Sequence, residues 1–169
     1  MSKFISCIGE NEVATLVNVE NISYIAINGR NGKNWVYNTN VPLEISFKEL
    51  SLIGKVVDVE DYFELNFVHS TPKNELIFKK HISHIIGEIM YLTDSYSLEI
   101  DSDCTTNVAE TAEKASLFKI VDNKGVACYV NIDAIQFIFV EEKRVTLKMP
   151  YIEIDISFSE YSSLKDNFK

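Results

Sequence analysis

One ten-residue pattern occurs near both ends of the chain and constrains its fold more than any other feature. Residues 16–25 read LVNVENISYI, and residues 129–138 read YVNIDAIQFI. Both contain Val-Asn, an aliphatic residue and an acid, and both then place Ile, an aromatic residue and Ile at matching positions. The pattern predicts a strand, a short acidic break and a second strand. Its return indicates that one structural unit is present more than once.

Three sequence marks recur along the chain at spacings of 53 to 60 residues. They are an aromatic residue that opens a strand (Phe4, Phe63, Phe118), an Ile-x-x-Ile pair (Ile22/Ile25, Ile82/Ile85, Ile135/Ile138) and an apolar residue before a helix signal (Ile45, Ile100, Ile156). A period of this length is typical of a repeated supersecondary unit. We therefore predict three tandem repeats, at residues 1–56, 57–116 and 117–169.

Each predicted repeat ends in a helix signal of the capping-box type. The signals read S-F-K-E from Ser46, N-V-A-E from Asn107 and S-F-S-E from Ser157. In such a box the first side chain accepts from an early helix amide, and the acid three residues later accepts from the cap residue's own amide. The first helix is expected to stop at Gly54, because glycine is a common C-terminal signal.

The strands of each repeat are predicted from alternating apolar residues and turn signals. Turns are expected at 9–11 and at Gly29-Arg30-Asn31-Gly32, where Asn-Gly favours a hairpin. In the middle repeat, residues 82–92 are interpreted as one strand that turns at 93–95. Residues 56–62 alternate Val with acids and are interpreted as continuing strand. Each repeat then contains about four strands and a short helix.

The predicted fold class is α+β, predominantly β, with three ββββα-like repeats packed into one domain spanning residues 1–169. A four-strand unit cannot bury a large core alone, so the repeats should share one. Two arrangements stay open. The sheets either surround a pseudo-threefold axis or fuse into a continuous twisted sheet or barrel.

The charge balance is acidic. Sixteen Lys and Arg against 25 Asp and Glu give a net charge of −9. A groove that follows nucleic-acid phosphates needs concentrated positive charge, so nucleic acid is not an expected partner. A basic protein partner would be attracted instead. Solubility is the simpler explanation of the same acidity.

The cysteines and the apolar segments indicate a cytoplasmic protein. Cys7, Cys104 and Cys128 are odd in number and widely spaced, which suits a reducing compartment better than a disulfide framework. The first ten residues turn polar too early for a signal peptide. No apolar run approaches a membrane span, so no membrane association is expected.

No set of residues predicts a metal, a cofactor or catalysis. His81 and His84 lie three apart, which would place them on opposite faces of a strand, and His69 lies upstream. Cys104 precedes a helix but has acidic neighbours and no paired base. The strand acids Glu44, Glu153 and Asp155 should face solvent by alternation. The chain is therefore not expected to be an enzyme.

A candidate binding site lies at the hairpin tip of the first repeat. It contains Arg30, one of two Arg in the chain, followed by Lys33, Trp35 and Tyr37. Arg, Trp and Tyr are enriched at binding hot spots. The alternative is an ordinary solvent-exposed turn.

Two functions follow as hypotheses. The first is a non-catalytic acidic binding protein that inhibits or regulates a protein partner, as bacterial immunity proteins and phage-encoded inhibitors do. The second is a small-ligand or nucleotide-binding sensor or sponge that uses the clefts between repeats.

Overall fold

The computed structural model describes residues 3–8, 13–38, 41–94 and 96–168. The predicted turn at 9–11 lies outside these residues. The protein is β-rich, as predicted, with several sheets and three α-helices in the described part. The chain divides into two compact units. One comprises Met1–Lys79 with Ser102–Thr106, and the other comprises Lys80–Asp101 with Asn107–Lys169.

The first unit contains a hairpin, a five-stranded sheet and one helix. Its elements are β1 (Phe4–Ile8), β2 (Ala14–Asn18), β3 (Tyr24–Ile27), β4 (Asn34–Asn38), β5 (Val41–Ile45), α1 (Phe47–Val56), β6 (Tyr62–Asn66) and β7 (Asn74–Phe78). Strands β1 and β2 form a two-stranded sheet, and the larger sheet has the order β5-β4-β3-β7-β6. All the pairings are antiparallel.

The second unit contains a five-stranded sheet, a three-stranded sheet and two helices. Its elements are β8 (Ile82–Ile86), β9 (Ile89–Leu92), β10 (Ser97–Glu99), α2 (Val108–Lys114), β11 (Phe118–Val121), β12 (Ala127–Val130), β13 (Phe137–Val140), β14 (Val145–Met149), β15 (Ile152–Ile156) and α3 (Phe158–Lys165). The sheet orders are β10-β9-β8-β12-β11 and β13-β14-β15, again antiparallel.

The order of elements follows one pattern along the chain. Two strands, a 3₁₀ turn, three strands and an α-helix occur in that order three times. The 3₁₀ turns that mark the pattern are Val19–Asn21, Lys79–His81 and Ile132–Ala134. Each five-stranded sheet joins the three strands that precede a helix to the hairpin that follows it. The sheets of the described residues are open rather than closed into a barrel.

Each unit has an apolar core beneath one sheet face. In the first, Ile25, Val36 and Ile45 pack with Val17 of the hairpin and Ile53 of α1. In the second, the corresponding cluster joins the hairpin β11-β12, the strands β14 and β15, and α3. In β15, Ile154 and Ile156 are buried and alternate with the acids Glu153 and Asp155, as expected of a strand with one face on the core.

The predicted helix starts are confirmed at all three signals. Ser46 Oγ accepts from Glu49 N at 3.2 Å, and Glu49 Oε2 accepts from Ser46 N at 2.8 Å. The other Glu49 oxygen accepts from Ile8 N at 2.6 Å, so this cap also fastens β1 to the start of α1. Asn107 caps α2 with a full box, and Ser157 accepts from Glu160 N at α3.

Three local predictions are wrong. Helix α1 continues past Gly54 to Val56, because Ile53 is buried and Val56 packs against the core. The stretch predicted as continuing strand contains a 3₁₀ turn at Val59–Asp61. Residues 82–92 form two strands, β8 and β9, because Gly87 adopts a φ of +61° that allows a tight turn.

Candidate functional site: two unpaired strand edges

The predicted hairpin tip forms a compact, internally bonded turn. Arg30–Gly32 is a short 3₁₀ turn in which Asn31 has a φ of 59°. The Arg30 side chain is exposed. The backbone carbonyl of Arg30 accepts a hydrogen bond from Trp35 Nε1 at 3.0 Å. Lys33 Nζ lies 3.1 Å from Glu44 Oε1 on the neighbouring strand β5. The tip is therefore preorganised around one outward-facing guanidinium.

Tyr37 lies further along β4 and makes a contact within the sheet. Its ring stacks on Tyr24 of β3 with a centroid distance of 4.2 Å and an interplanar angle of 8°. Trp35 and Tyr37 share one face of β4, and both are half-buried. Of the four predicted site residues, Arg30 is the one whose side chain is exposed, and the binding role of the group stays a prediction.

The histidines occupy separate environments. His84 is buried in β8, with Nδ1 at 2.7 Å from Ser83 Oγ and its ring stacked on Tyr91 at 4.8 Å. Burial lowers the pKa of His84 to about 4, since the charged ring would be desolvated. His81 lies in the 3₁₀ turn before β8 rather than on a strand. Within the described ranges, no group of three or more His, Cys, Asp or Glu is placed to hold a metal.

The cysteines and strand acids are held in ordinary structural positions. Burial raises the pKa of the Cys128 thiol to about 11, with a smaller contribution from Asp122. Cys104 is half-buried, and its backbone pairs with that of Phe67 in an isolated antiparallel β-bridge. The strand acids have polar neighbours: Asp155 accepts from Thr146 Oγ1 at 2.5 Å, and Glu153 lies 3.4 Å from Lys148 Nζ.

The edge strand β13 carries an exposed apolar surface. It forms one side of the three-stranded sheet, and its other side has no strand partner among the described residues. Phe137, Phe139 and Val140 are all exposed. The two phenylalanine rings lie side by side with centroids 6.3 Å apart. We call β13 with these side chains the β13 edge.

The hairpin β1-β2 carries a second exposed apolar surface. Its inner face, which contains Ile5, Cys7 and Val17, is buried in the first core. Its outer face presents Phe4, Ile8 and Leu16, which are all exposed. Strand β2 pairs only with β1 within the described chain. We call β2 with this outer face the β2 edge.

An open cavity of about 440 Å³ lies in the second unit. Its lining includes Lys80 and Thr93 from the second predicted repeat and Asp133, Gln136 and Tyr151 from the third. The volume falls within the range of about 300–1,000 Å³ that is typical of small-molecule sites. The lining combines these polar side chains with Ala134, Pro150 and the exposed Tyr151.

Sequence reasoning missed both strand edges, although a signal for them was present. The Ile-x-x-Ile alignment pairs Phe137 with Tyr24 and His84. The hairpins that pair with β3 and β8 each follow the next helix along the chain, and among the described residues no hairpin follows α3. Considering which repeat completes which sheet would have identified the β13 edge.

Comparison with protein-family models, with curated proteins and with solved structures gave no match. In the described part of the chain, no helix is both long and apolar enough to cross a membrane.

Proposed function

We propose that this chain is an acidic binding protein that acts by holding a protein partner rather than by catalysis. We also propose that it arose from three copies of one ββ-3₁₀-βββα unit, with bounds close to 1–56, 57–116 and 117–169. Inhibition or regulation of the partner, in the cytoplasm, is the role that such a binding protein would serve.

The observation that carries the proposal is the apolar character of the two unpaired edges. An exposed strand edge presents a row of amide donors and carbonyl acceptors that can pair with another chain. Exposed apolar side chains accompany these backbone groups, namely two phenylalanines at the β13 edge and Phe4 and Leu16 at the β2 edge. Exposed apolar side chains grouped at a strand edge are a feature of protein interaction sites.

The repeat architecture is supported by the element order and the matching caps. The same seven elements recur, and each α-helix begins with a Ser or Asn whose side chain accepts from a Glu amide three residues later. Asn18 and Asn131 also have matching roles, since each accepts from the amide two residues later at the start of a 3₁₀ turn.

The net charge of −9 supports a basic partner for the surface outside the edges. Acidic surfaces accelerate encounters with positively charged proteins, and added salt weakens that attraction. The exposed Arg30 would then contact an acidic group on the partner rather than its basic surface.

A pull-down with matched variants tests this function. The immobilised wild type is compared with the Phe137→Asp/Phe139→Asp double variant and with a control, Val59→Asp. Val59 is at least as exposed as the two phenylalanines but lies outside both edges. We expect at least one host protein to be retained by the wild type and the control but not by the double variant. Identical retained proteins in all three samples would refute the proposed role of the edges.

A second candidate function is the binding of a small ligand in the 440 Å³ cavity. The observation that favours it is that residues of two predicted repeats line the cavity, as the cleft hypothesis expects. A thermal-shift screen against nucleotides and common metabolites tests it, because a bound ligand raises the melting temperature. A shift that Gln136→Ala removes would support this function, and no shift with any compound would refute it.

A further inference from the structure

Two junctions in the structure join consecutive repeats by the same strand pairing. At the first, β7 pairs with β3, and at the second, β12 pairs with β8. Positions are matched by counting from the 3₁₀ turns, which begin at Val19, Lys79 and Ile132. In these terms Tyr24↔Ile77 is the counterpart of His84↔Val130, and both pairs are observed.

The backbone hydrogen bonds at the two junctions also match. Phe78 N donates to Ser23 O at 3.1 Å, and Asn131 N donates to Ser83 O at 2.9 Å. By the same count, Phe78 and Asn131 are equivalent positions, and so are Ser23 and Ser83. The junction is therefore a defined interface with a fixed register rather than a general apolar contact.

Among the described residues, the same construction leaves two junctions with only one of their two sides present, one at β1-β2 and one at β13. The hairpin β1-β2 corresponds to β6-β7 and β11-β12, but the described chain has no earlier three-stranded sheet to receive it. The sheet β13-β14-β15 corresponds to the sheets that received those hairpins, and its β13 edge is unpaired in the described residues. One end supplies the inserted strand, and the other supplies the receiving strand.

We propose that the β2 edge of one molecule pairs with the β13 edge of a second copy, in the register of the two internal junctions. This proposal rests on the proposed binding function of the edges and identifies the partner. Counting from the 3₁₀ turns gives the pairs Val17↔Phe137, Leu16↔Ile138 and Thr15↔Phe139. The corresponding backbone bond is donated by Asn18 N to Gln136 O of the second copy.

Residues that are covered at the internal junctions have exposed counterparts at the β13 edge and the β2 edge. Tyr24 and His84, which receive a hairpin, are 5% and 2% exposed, whereas their counterpart Phe137 is 64% exposed. On the hairpin side, Leu76 packs against the first core, whereas its counterpart Leu16 is 69% exposed. Pairing as proposed would cover both side chains, so burial of apolar area favours it.

The side chain of Asn18 supplies a second, polar indication. At the internal junction, Asn131 Oδ1 accepts from Asp133 N and Nδ2 donates to Ile82 O across the junction at 2.8 Å. Asn18 Oδ1 makes the matching bond to Glu20 N. In the described residues its Nδ2 has no acceptor, and in the proposed pairing it would face Ile135 O of the second copy.

The interface is heterologous, because two different surfaces meet. Such contacts produce a closed ring where the rotation between copies closes, and an open chain of molecules where it does not. The contact consists of apolar side chains and backbone bonds, so its strength should change little with added salt. This separates it from recognition of a basic partner, which salt weakens.

The test uses two variants that each block one edge, Leu16→Asp for the β2 edge and Phe137→Asp/Phe139→Asp for the β13 edge. The substituted side chains are exposed in the structure, so the fold of a single molecule should tolerate them. Sedimentation velocity and light scattering measure the mass of each variant, of the wild type, of the Val59→Asp control and of an equimolar mixture of the two variants.

We expect the wild type and the control to exceed the monomer mass increasingly with concentration, and each blocked variant to stay monomeric. The mixture should form a dimer and stop there, since one intact edge remains on each molecule. Formation of this dimer also shows that both variants are folded. A wild type that is monomeric up to its solubility limit would overturn the proposal, as would a mixture that stays monomeric.

If the wild type is monomeric but retains a host protein that the double variant loses, the edges bind a different partner and the proposed function stands. If the double variant retains the same host proteins, the proposed function itself fails.

Discussion

Lowering the pH should destabilise this protein through His84. The ring is 2% exposed, stacks on Tyr91 and has Nδ1 at 2.7 Å from Ser83 Oγ. Burial lowers its pKa to about 4 from the ordinary value of 6.5 for histidine. The neutral ring is therefore favoured in the folded state, whereas the unfolded chain takes up a proton below about pH 6.5. The contribution of this residue to stability is complete above pH 6.5 and declines as the pH falls towards 4.

The expected size follows from proton linkage between the folded and unfolded states. With a folded pKa of about 4 and an unfolded pKa of 6.5, moving from pH 7 to pH 5 should lower the free energy of unfolding by about 2 kcal/mol. Below pH 4 the loss should level off at about 3 kcal/mol, because both states are then protonated. A loss of about 2 kcal/mol is a large part of the stability of an ordinary domain.

Urea unfolding at pH 7 and pH 5 measures this effect when wild type is compared with His84→Phe. The variant places at this position the residue type that Phe137 supplies in the third predicted repeat, and this residue cannot titrate. All other groups titrate in both proteins, so the difference between their pH responses isolates His84. We expect the wild type to lose about 2 kcal/mol more than the variant. His69→Gln is the control, and it should retain the wild-type response. Equal pH responses of wild type and His84→Phe would refute the burial of a neutral ring.

Two further predictions concern the first helix cap and the thiols. Ser46→Ala should lower the free energy of unfolding, measured in urea, by about 1 kcal/mol, because it removes the side-chain acceptor of the capping box. The control Ser51→Ala, on the exposed side of α1, should leave this free energy unchanged. Equal unfolding midpoints for the two variants would contradict the role of the cap. With a chromogenic thiol reagent at neutral pH, the half-buried Cys104 should react first, and the buried Cys7 and Cys128, whose pKa values are raised by burial, should react only on unfolding. Cys104→Ser should remove the early phase, and a second rapidly reacting thiol in that variant would contradict the burial of the other two.

Local signals were the part of the structure that sequence predicted well. A capping box needs only four consecutive residues, since both of its hydrogen bonds lie within the first helical turn. Ser46, Asn107 and Ser157 therefore begin helices as expected. The Ile-x-x-Ile pairs behave similarly, because each spans the end of a 3₁₀ turn and the start of a strand.

Positions within strands were harder to predict, because a shift of one residue moves a side chain to the other face. Phe4 was aligned with Phe63 and Phe118 as the opening aromatic residue. Strand pairing instead places Phe4 opposite Asn18, whereas Phe63 lies opposite Ile77 and Phe118 opposite Val130. Counted from the 3₁₀ turns, Ile5 is the counterpart of Phe63. The aromatic mark was thus one residue out of register in the first predicted repeat.

The pairing of each hairpin with the preceding sheet could not be predicted from periodicity, since apolar alternation specifies a buried face but not a strand's neighbour. For the candidate binding residues, composition identified Arg30, but it could not show that Tyr37 stacks on Tyr24 or that Lys33 pairs with Glu44. Those contacts depend on cross-strand register, which is set by turns and bulges across the whole sheet.

The amino-acid composition of the edge strands distinguishes β2 and β13 from most of the other edge strands. Sheet edges of soluble proteins are commonly protected by charged residues or proline, which oppose pairing with another chain. Among the described residues, five edge strands carry such side chains, namely β5 (Pro42, Glu44), β6 (Glu64), β10 (Glu99), β11 (Lys119) and β15 (Glu153, Asp155). Strands β1, β2 and β13, with sequences FISCI, ATLVN and FIFV, carry none, and at β1 the Ile8 amide already donates to Glu49 Oε1. An unprotected edge on a monomer favours aggregation, whereas the same edge buried in a specific junction needs no charge. The composition of β2 and β13 therefore fits strands that are paired in the working state of the protein.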